Sequence, residues 1–175
     1  FLATISDSAR HMGVLLDGLT ALSRVGLAPL EMVPVPLQEL VQTVRAEVMA
    51  KYPLRAVEWQ IADDLPTVLA DATLLHQALT HVMGNALKFT APRALAKIDI
   101  RTVPGALEGY VALQVRDNGV GYNLAQQDRL FRVFGRLHSA KQFEGIGIGL
   151  VLTRKILARM GGYVSAEAAV DAGCR

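Results

Sequence analysis

The sequence predicts an α+β domain: helices packed on one face of a mixed, mostly antiparallel sheet, with one long helix in front. Three patterns carry this expectation. Apolar residues recur at helical spacing in four separate segments. Short alternating runs, such as Val57, Trp59 and Ile61, or Val111, Leu113 and Val115, lie between them. Half of the 175 residues are hydrophobic (51%), ample for the core that such a two-layer arrangement must bury.

The elements follow in order. Residues 1–26 read as one helix, with Ile5, Met12 and Leu19 spaced by sevens, and Ser8, Leu15 and Leu22 likewise. Ala9 and Leu16 widen the stripe into a seam suited to a helical bundle or coiled coil. Gly26-Leu-Ala-Pro29 ends it, and Pro34-Val-Pro36 restrains the exit. Leu37, Leu40, Val41, Val44 and Val48 give a second helix ending near Tyr52-Pro53. Val57–Ile61 is a strand, and Val68-Leu69 a short one. Asp71 can cap a helix carrying Leu74, Leu75, Ala78, Leu79, Val82, Met83, Ala86 and Leu87. Thr90-Ala-Pro92 is a turn. A strand begins with Ile98 and Ile100, Gly105–Gly109 holds a hairpin turn, and the strand from Tyr110 ends at Asp117. Residues 122–144 are loop and short helix. Ile148–Met160 is the last helix, stopped by Gly161-Gly162, and Tyr163–Ala168 reads as a strand.

Composition narrows the function. Net charge is +2 and no basic stripe is interleaved with aromatics, so nucleic acid is not an implied partner. The single cysteine, Cys174, rules out an internal disulfide framework and a cysteine metal cluster. No apolar run reaches membrane-spanning length and no signal-peptide pattern is present. A cytoplasmic setting fits, with no membrane contact by this part of the protein. The first residue is Phe1, and a longer parent protein, soluble or membrane-anchored, is expected.

Three segments carry chemistry: Asn85-Ala-Leu-Lys88, Asp117-Asn-Gly-Val-Gly121 and Gly145-Ile-Gly-Ile-Gly-Leu150. Asp117 at a strand end can accept a hydrogen bond from an exocyclic amine such as that of adenine. As a turn residue in Asp-Asn-Gly it needs no function. The glycines after it let backbone approach a flat ligand closely. The second glycine cluster runs into a helix, where backbone N–H groups favour phosphate. Asn85 offers a hard oxygen to Mg²⁺, or else is a helical asparagine satisfied by backbone. Lys88, one turn on, can face the same site or sit solvated.

In order and residue type these segments resemble the catalytic and ATP-binding domain of sensor histidine kinases, in the GHKL ATPase superfamily. His81-Val-Met-Gly-Asn-Ala-Leu-Lys-Phe-Thr90 resembles the family's N box and Asp117–Gly121 its G1 box. Leu130-Phe-Arg-Val-Phe-Gly-Arg-Leu-His138 resembles its F box and Gly145–Leu150 its G2 box. Arg136 through Gly145 is most similar to the phytochrome-like and PAS-linked branch. The resemblance covers nearly the whole chain. It implies a two-layer GHKL sandwich, with residues 1–28 as the second helix of a dimerisation and phosphoacceptor hairpin, 29–36 as linker and 37–175 as the ATP-binding domain. It implies ATP and Mg²⁺ as ligands, Asn85 holding the metal and Lys88 a phosphate. Phe89, Asp117, Gly119, Gly121, Arg136, Gly145, Gly147, Gly149 and Leu150 would line the nucleotide site. His81 is a further candidate phosphate contact. Residues 126–144 would form the ATP lid, anchored by Phe131 and Phe134. The implied activity is transfer of the ATP γ-phosphoryl group to a histidine, for relay to a response-regulator aspartate. Partners would be the upstream phosphoacceptor helix, a receiver domain and a second copy in a homodimer.

The chain departs from the pattern at several positions. His81 stands where asparagine is common in these kinases and a glutamate base is found in hydrolytic cousins. Val133 replaces an F-box arginine, Ile146 a frequent threonine, and Tyr122 an aliphatic residue. None of His11, His76, His81 or His138 has the context of the family's acceptor, so self-phosphorylation by this chain alone is not expected. The family usually continues with an apolar strand after Gly173-Cys174-Arg175. Two rivals stand beside the kinase. One is an ATPase driving conformational change, which His81 argues against. The other is a dimerising nucleotide-binding module with degenerate chemistry, which His81 and Ile146 leave open.

Overall fold

The computed structural model describes residues 2–27, 29–104, 107–139 and 142–175, with side chains from residue 12 onward. Ile5, Ser8 and Ala9 of the expected seam, His11 beside it, and Gly105 of the expected turn have side chains or placements outside the described residues. Helix α1 is Leu2–Leu27, followed by strand β1, Met32–Pro36, and helix α2, Leu37–Ala50. Strands β2, Val57–Ile61, and β3, Thr67–Asp71, lead into helix α3, Ala72–Phe89. Then come β4, Ala96–Val103, β5, Ala112–Asp117, a short 3₁₀ turn at Leu124–Arg129 and helix α4, Gly149–Arg159. Two-residue strands β6, Ala168–Ala169, and β7, Gly173–Cys174, close the order.

The central sheet runs β2-β4-β5, with β2 parallel to β4 and β5 antiparallel to it. Its register places Ile98 opposite both Trp59 and Asp117. Alternation along β4 explains its orientation: Ala96, Ile98 and Ile100 are buried while Lys97 and Arg101 are exposed. Helices α2 and α3 cover that face. Val41, Val44 and Val48 of α2 join Leu75, Leu79, Met83 and Leu87 of α3 over Ile98 and Ile100. Removing this apolar surface from water is the main stabilising term for the layer.

A second cluster has a different membership. Leu74 and Ala78, on another side of α3, pack with Ile148, Leu152 and Ile156 and with Val25 of α1. Helix α3 therefore lies between two cores. It is fixed at its start by Asp71, whose carboxylate accepts from Leu74 N at 3.0 Å and Glu31 N at 3.1 Å. Its end is held by Thr90 and Arg55, which bond the last carbonyls and each other.

Two expectations need correction. Within residues 29–36, Met32–Pro36 is a strand paired antiparallel with β3. Pro34 and Pro36 are tolerated there because this strand has one partner and needs few ladder donors. Tyr163–Ala168 is not a strand over its length. Only Ala168–Ala169 pairs, with Gly173–Cys174, and the chain turns back through Asp171 and Gly173, both at positive φ.

Candidate functional site

Helix α3 is the axis of the site, and two loops, Asp117–Gly121 and Gly145–Gly149, meet it. At its C-terminal end, Phe89 O accepts from Val120 N at 3.1 Å, which brings the Asp117–Gly121 loop against the helix. A Cβ on Gly119 would lie 2.7 Å from that same carbonyl, so only glycine fits. Gly121, at φ +58°, is likewise backed against Ala169 O.

One residue earlier, Lys88 lies beside Gly145: a Cβ built there would be 3.4 Å from Nζ. Two turns earlier, His81 lies beside Gly149, whose Cβ would be 3.1 Å from Nδ1. Asn85 stands between His81 and Lys88 on this side of the helix. The expected residues from three distant stretches are thus brought together along one helix face.

Asp117 is buried at the end of β5. Its Oδ1 accepts from Gly119 N at 2.8 Å and Cys174 N at 3.3 Å. Among the described residues no partner engages Oδ2. Burial holds its pKa above the ordinary carboxylate range, with the two backbone bonds opposing. A buried carboxylate with one oxygen committed and one open suits a ligand that donates hydrogen bonds. Its charge also acts outward: burial, then Asp117, pushes the Cys174 thiol up to about 12.

At the other end the charge is positive. Burial, reinforced by Arg136, lowers the pKa of Lys88. Burial, Lys51 and Lys88 lower that of His81, and its Nε2 is buried without a hydrogen-bond partner. Lys88 and Arg136 crowd one another beside a glycine loop, an arrangement that an anion would relieve. The Asn85 side chain makes no hydrogen bond among the described residues, so the reading of a backbone-satisfied asparagine does not hold. No group of three His, Cys, Asp or Glu able to hold a metal occurs among the described residues. A lone asparagine oxygen suits Mg²⁺, which keeps waters and is shared with phosphates rather than caged by protein.

The lid is anchored differently from the sequence expectation. Phe134 is exposed and Phe131 half-buried under Arg154. The buried anchor is Phe143, which packs with Phe89 and His138 at ring-centroid distances of 5.1 to 5.3 Å. Lys88 Nζ lies 4.5 Å from the Phe89 ring centre. Arg136 donates to the carbonyls of Phe143 and Gly145, tying lid to glycine loop. Leu150 is half-buried in the first turn of α4. Ala140 and Lys141 of the lid lie outside the described residues.

Sequence reasoning missed Arg93, whose guanidinium bonds the carbonyls of Asn118, Gly119 and Asp171 at 2.8 to 3.0 Å. It braces the loop after Asp117 from the outside. Its only sequence signal was its place just past the turn that ends α3. His138 and Phe143 were missed because a lone aromatic in a loop carries no period.

Residues 70–175 match the family model described as "Histidine kinase-, DNA gyrase B-, and HSP90-like ATPase". Among curated proteins, the chain is 29% identical to cyanobacterial phytochrome B of Nostoc sp., over 98% of this chain and 23% of that protein. It is 31% identical to the signal transduction histidine-protein kinase BarA of Escherichia coli K12, over 94% of this chain and 19% of that protein. The chain spans about a fifth to a quarter of the length of these relatives. Among solved structures it is similar to full-length ShkA in complex with AMPPNP, with a TM-score of 0.73 and 29% identity, covering 98% of this chain and 36% of that one.

Proposed function

The chain belongs to the histidine kinase-, DNA gyrase B- and HSP90-like ATPase family, and from that premise we propose that it is the ATP-binding catalytic part of a two-component sensor histidine kinase acting in the cytoplasm. The observation that carries the reading is the polarity of α3's neighbours. An open, buried carboxylate lies past one end, and Lys88 with the glycine loop lies along the helix. Adenine would donate its amine to Asp117 Oδ2, over Gly119 and Gly121. The phosphates would lie toward Lys88, the N–H groups from Gly145 to Gly149 and the start of α4. Leu150 would border them, and Arg136 would hold lid and loop together around them.

Phosphoryl transfer asks the protein mostly for positioning and charge neutralisation. Asn85 would hold Mg²⁺, which when bound neutralises charge between phosphates. Lys88 would neutralise the γ-phosphate, and His81 Nε2 is a further candidate donor to it. Phe89, with Phe143 packed edge-on and His138 tilted against it, would shield the site from water as the lid closes. The acceptor would be a histidine on an upstream helix, paired with α1 in a homodimer. The phosphoryl group would then pass to a receiver-domain aspartate.

His81 supports transfer over hydrolysis. The slot that holds a glutamate base in hydrolytic cousins holds His81, so α3 presents no carboxylate there to activate water.

The test is phosphorylation in trans. The chain is mixed with γ-labelled ATP, Mg²⁺ and a separately purified phosphoacceptor hairpin. Acid-labile label on the hairpin, lost with Asn85→Ala, is expected. ATP binding without transfer would instead favour a degenerate signalling module.

A further inference from the structure

The glycine loop is held from outside the catalytic layer. Its two side chains, Ile146 and Ile148, do not join the main core under the sheet. They belong to the second cluster, with Ala21, Leu22 and Val25 of α1. What lets α1 come so close is Gly18. It is buried, and a Cβ there would overlap Ile148 Cδ1 and lie 3.0 Å from Ile146 Cδ1. Mid-helix glycine disfavours a helix relative to alanine, and at Gly18 this contact is the reason for it. Gly13 in the same helix has nothing within 4 Å of its would-be Cβ. Helix α4 fastens the rest: Lys155 Nζ donates to Leu22 O at 2.8 Å and Arg159 to Val25 O at 2.5 Å. Both cations approach the C-terminal turns of α1, where the helix dipole favours positive charge.

We propose that α1 is a positioning element for the glycine loop, and that its seating at Gly18 is energetically coupled to binding of the nucleotide's phosphates. The inference rests on the nucleotide-site reading above and adds the regulation of that site. Seated, α1 buries Ile148 and partly covers Ile146, on either side of Gly147, which is held at φ +74° against Gly135 O. The backbone from Gly145 to Gly149 is then preorganised for an anion. Unseated, the two isoleucines lose their cover and the loop its fixed shape. Coupling is reciprocal, so bound phosphates must in turn favour the seated helix. Movement of α1 and occupancy of the site become two readings of one equilibrium. Ile146 thereby acquires a role that the frequent threonine would not fill, since a hydroxyl gains little in an apolar seat.

Valine at Gly18 and at Gly13 separates the contact from helix propensity, because both changes place the same residue in the same helix. Calorimetry of Mg-ATP and of adenosine, with hydrogen exchange over residues 16–26, gives the readout. Gly18→Val should weaken Mg-ATP binding by about 5-fold or more, leave adenosine binding unchanged and raise exchange in 16–26. Gly13→Val should change none of these. Mg-ATP should slow exchange in 16–26 of the unmodified chain, and adenosine should not. Gly18→Ala, whose methyl meets only side-chain ends, should give the same ordering at smaller size if the valine variant fails to fold. Unchanged Mg-ATP affinity with α1 freed, unchanged exchange in both Gly18 variants, or equal loss of adenosine binding would each overturn the proposal. Failure of the unmodified chain to bind Mg-ATP or adenosine would instead remove the nucleotide site itself, and the coupling with it.

Discussion

Asp117 shows how a proposed site residue can work against the fold that carries it. Its carboxylate is buried and its pKa raised, so folding stability from this group is greatest below its unfolded pKa and declines as pH rises through the folded value. Asparagine keeps an oxygen for Gly119 N and Cys174 N while removing the charge. Asp117→Asn is therefore expected to melt no lower than the unmodified chain, while ATP binding weakens about 10- to 100-fold through loss of a charged hydrogen bond. A thermal melt and a titration on one preparation check both. His81 carries the opposite sign. Its pKa is lowered from 6.5 by burial first and then by Lys51 and Lys88, so stability is retained above the unfolded pKa and lost as pH falls toward the folded value. Urea denaturation at about pH 7.5 and about pH 5.5 should show a smaller loss for His81→Asn than for the unmodified chain. These roles were legible before the structure because residue types within the boxes are chemically constrained. Arg93, His138 and Phe143 were not, since their partners lie 5 to 78 residues away along the chain and no local pattern marks them.

At the scale of elements, α3 carries most of the design. It bridges two apolar clusters and lines the site along one face. Its N-terminus depends on Asp71, which caps Leu74 N and also ties the segment before β1 through Glu31 N. Asp71→Ala is expected to destabilise the domain by about 1 kcal/mol, read as a lower denaturant midpoint at unchanged slope. The capping aspartate and the periodicity of α3 were readable from residues 71–89 alone. Strand β1 was not. Met32–Pro36 looks like a proline-restrained exit, and its strand character comes from β3, some thirty-five residues on. The reverse error at Tyr163–Ala168 has the same origin: alternation suggests a strand, but among the described residues only Glu167 and Ala168 of the segment find strand-like partners, Arg175 and Cys174.

Over the whole molecule, α1 presents two faces, and of the expected seam Leu22 joins the inner one. Gly18, Ala21, Leu22 and Val25 turn toward the glycine loop and α4. Met12, Leu16 and Leu19 remain exposed, Leu16 at 64%. An apolar stripe left in water at helical spacing fits a further helix, as a bundle would supply. Alone, the chain should form a weak, concentration-dependent dimer through this stripe. Sedimentation of Leu16→Glu/Leu19→Glu should show monomer at every concentration, with ATP binding intact. No helix among the described residues is long and apolar enough to cross a membrane.

The central claim is that Asp117, Asn85, Lys88 and the glycine loop form one adenine-nucleotide site. Calorimetric titration of this chain with a non-hydrolysable ATP analogue, with and without Mg²⁺, and of Asp117→Asn in parallel, tests it most directly. Saturable binding, strengthened by Mg²⁺ and weakened about 10- to 100-fold in the variant, is the predicted result. A folded chain that binds no nucleotide, or binds it equally well without the Asp117 carboxylate, would contradict the account.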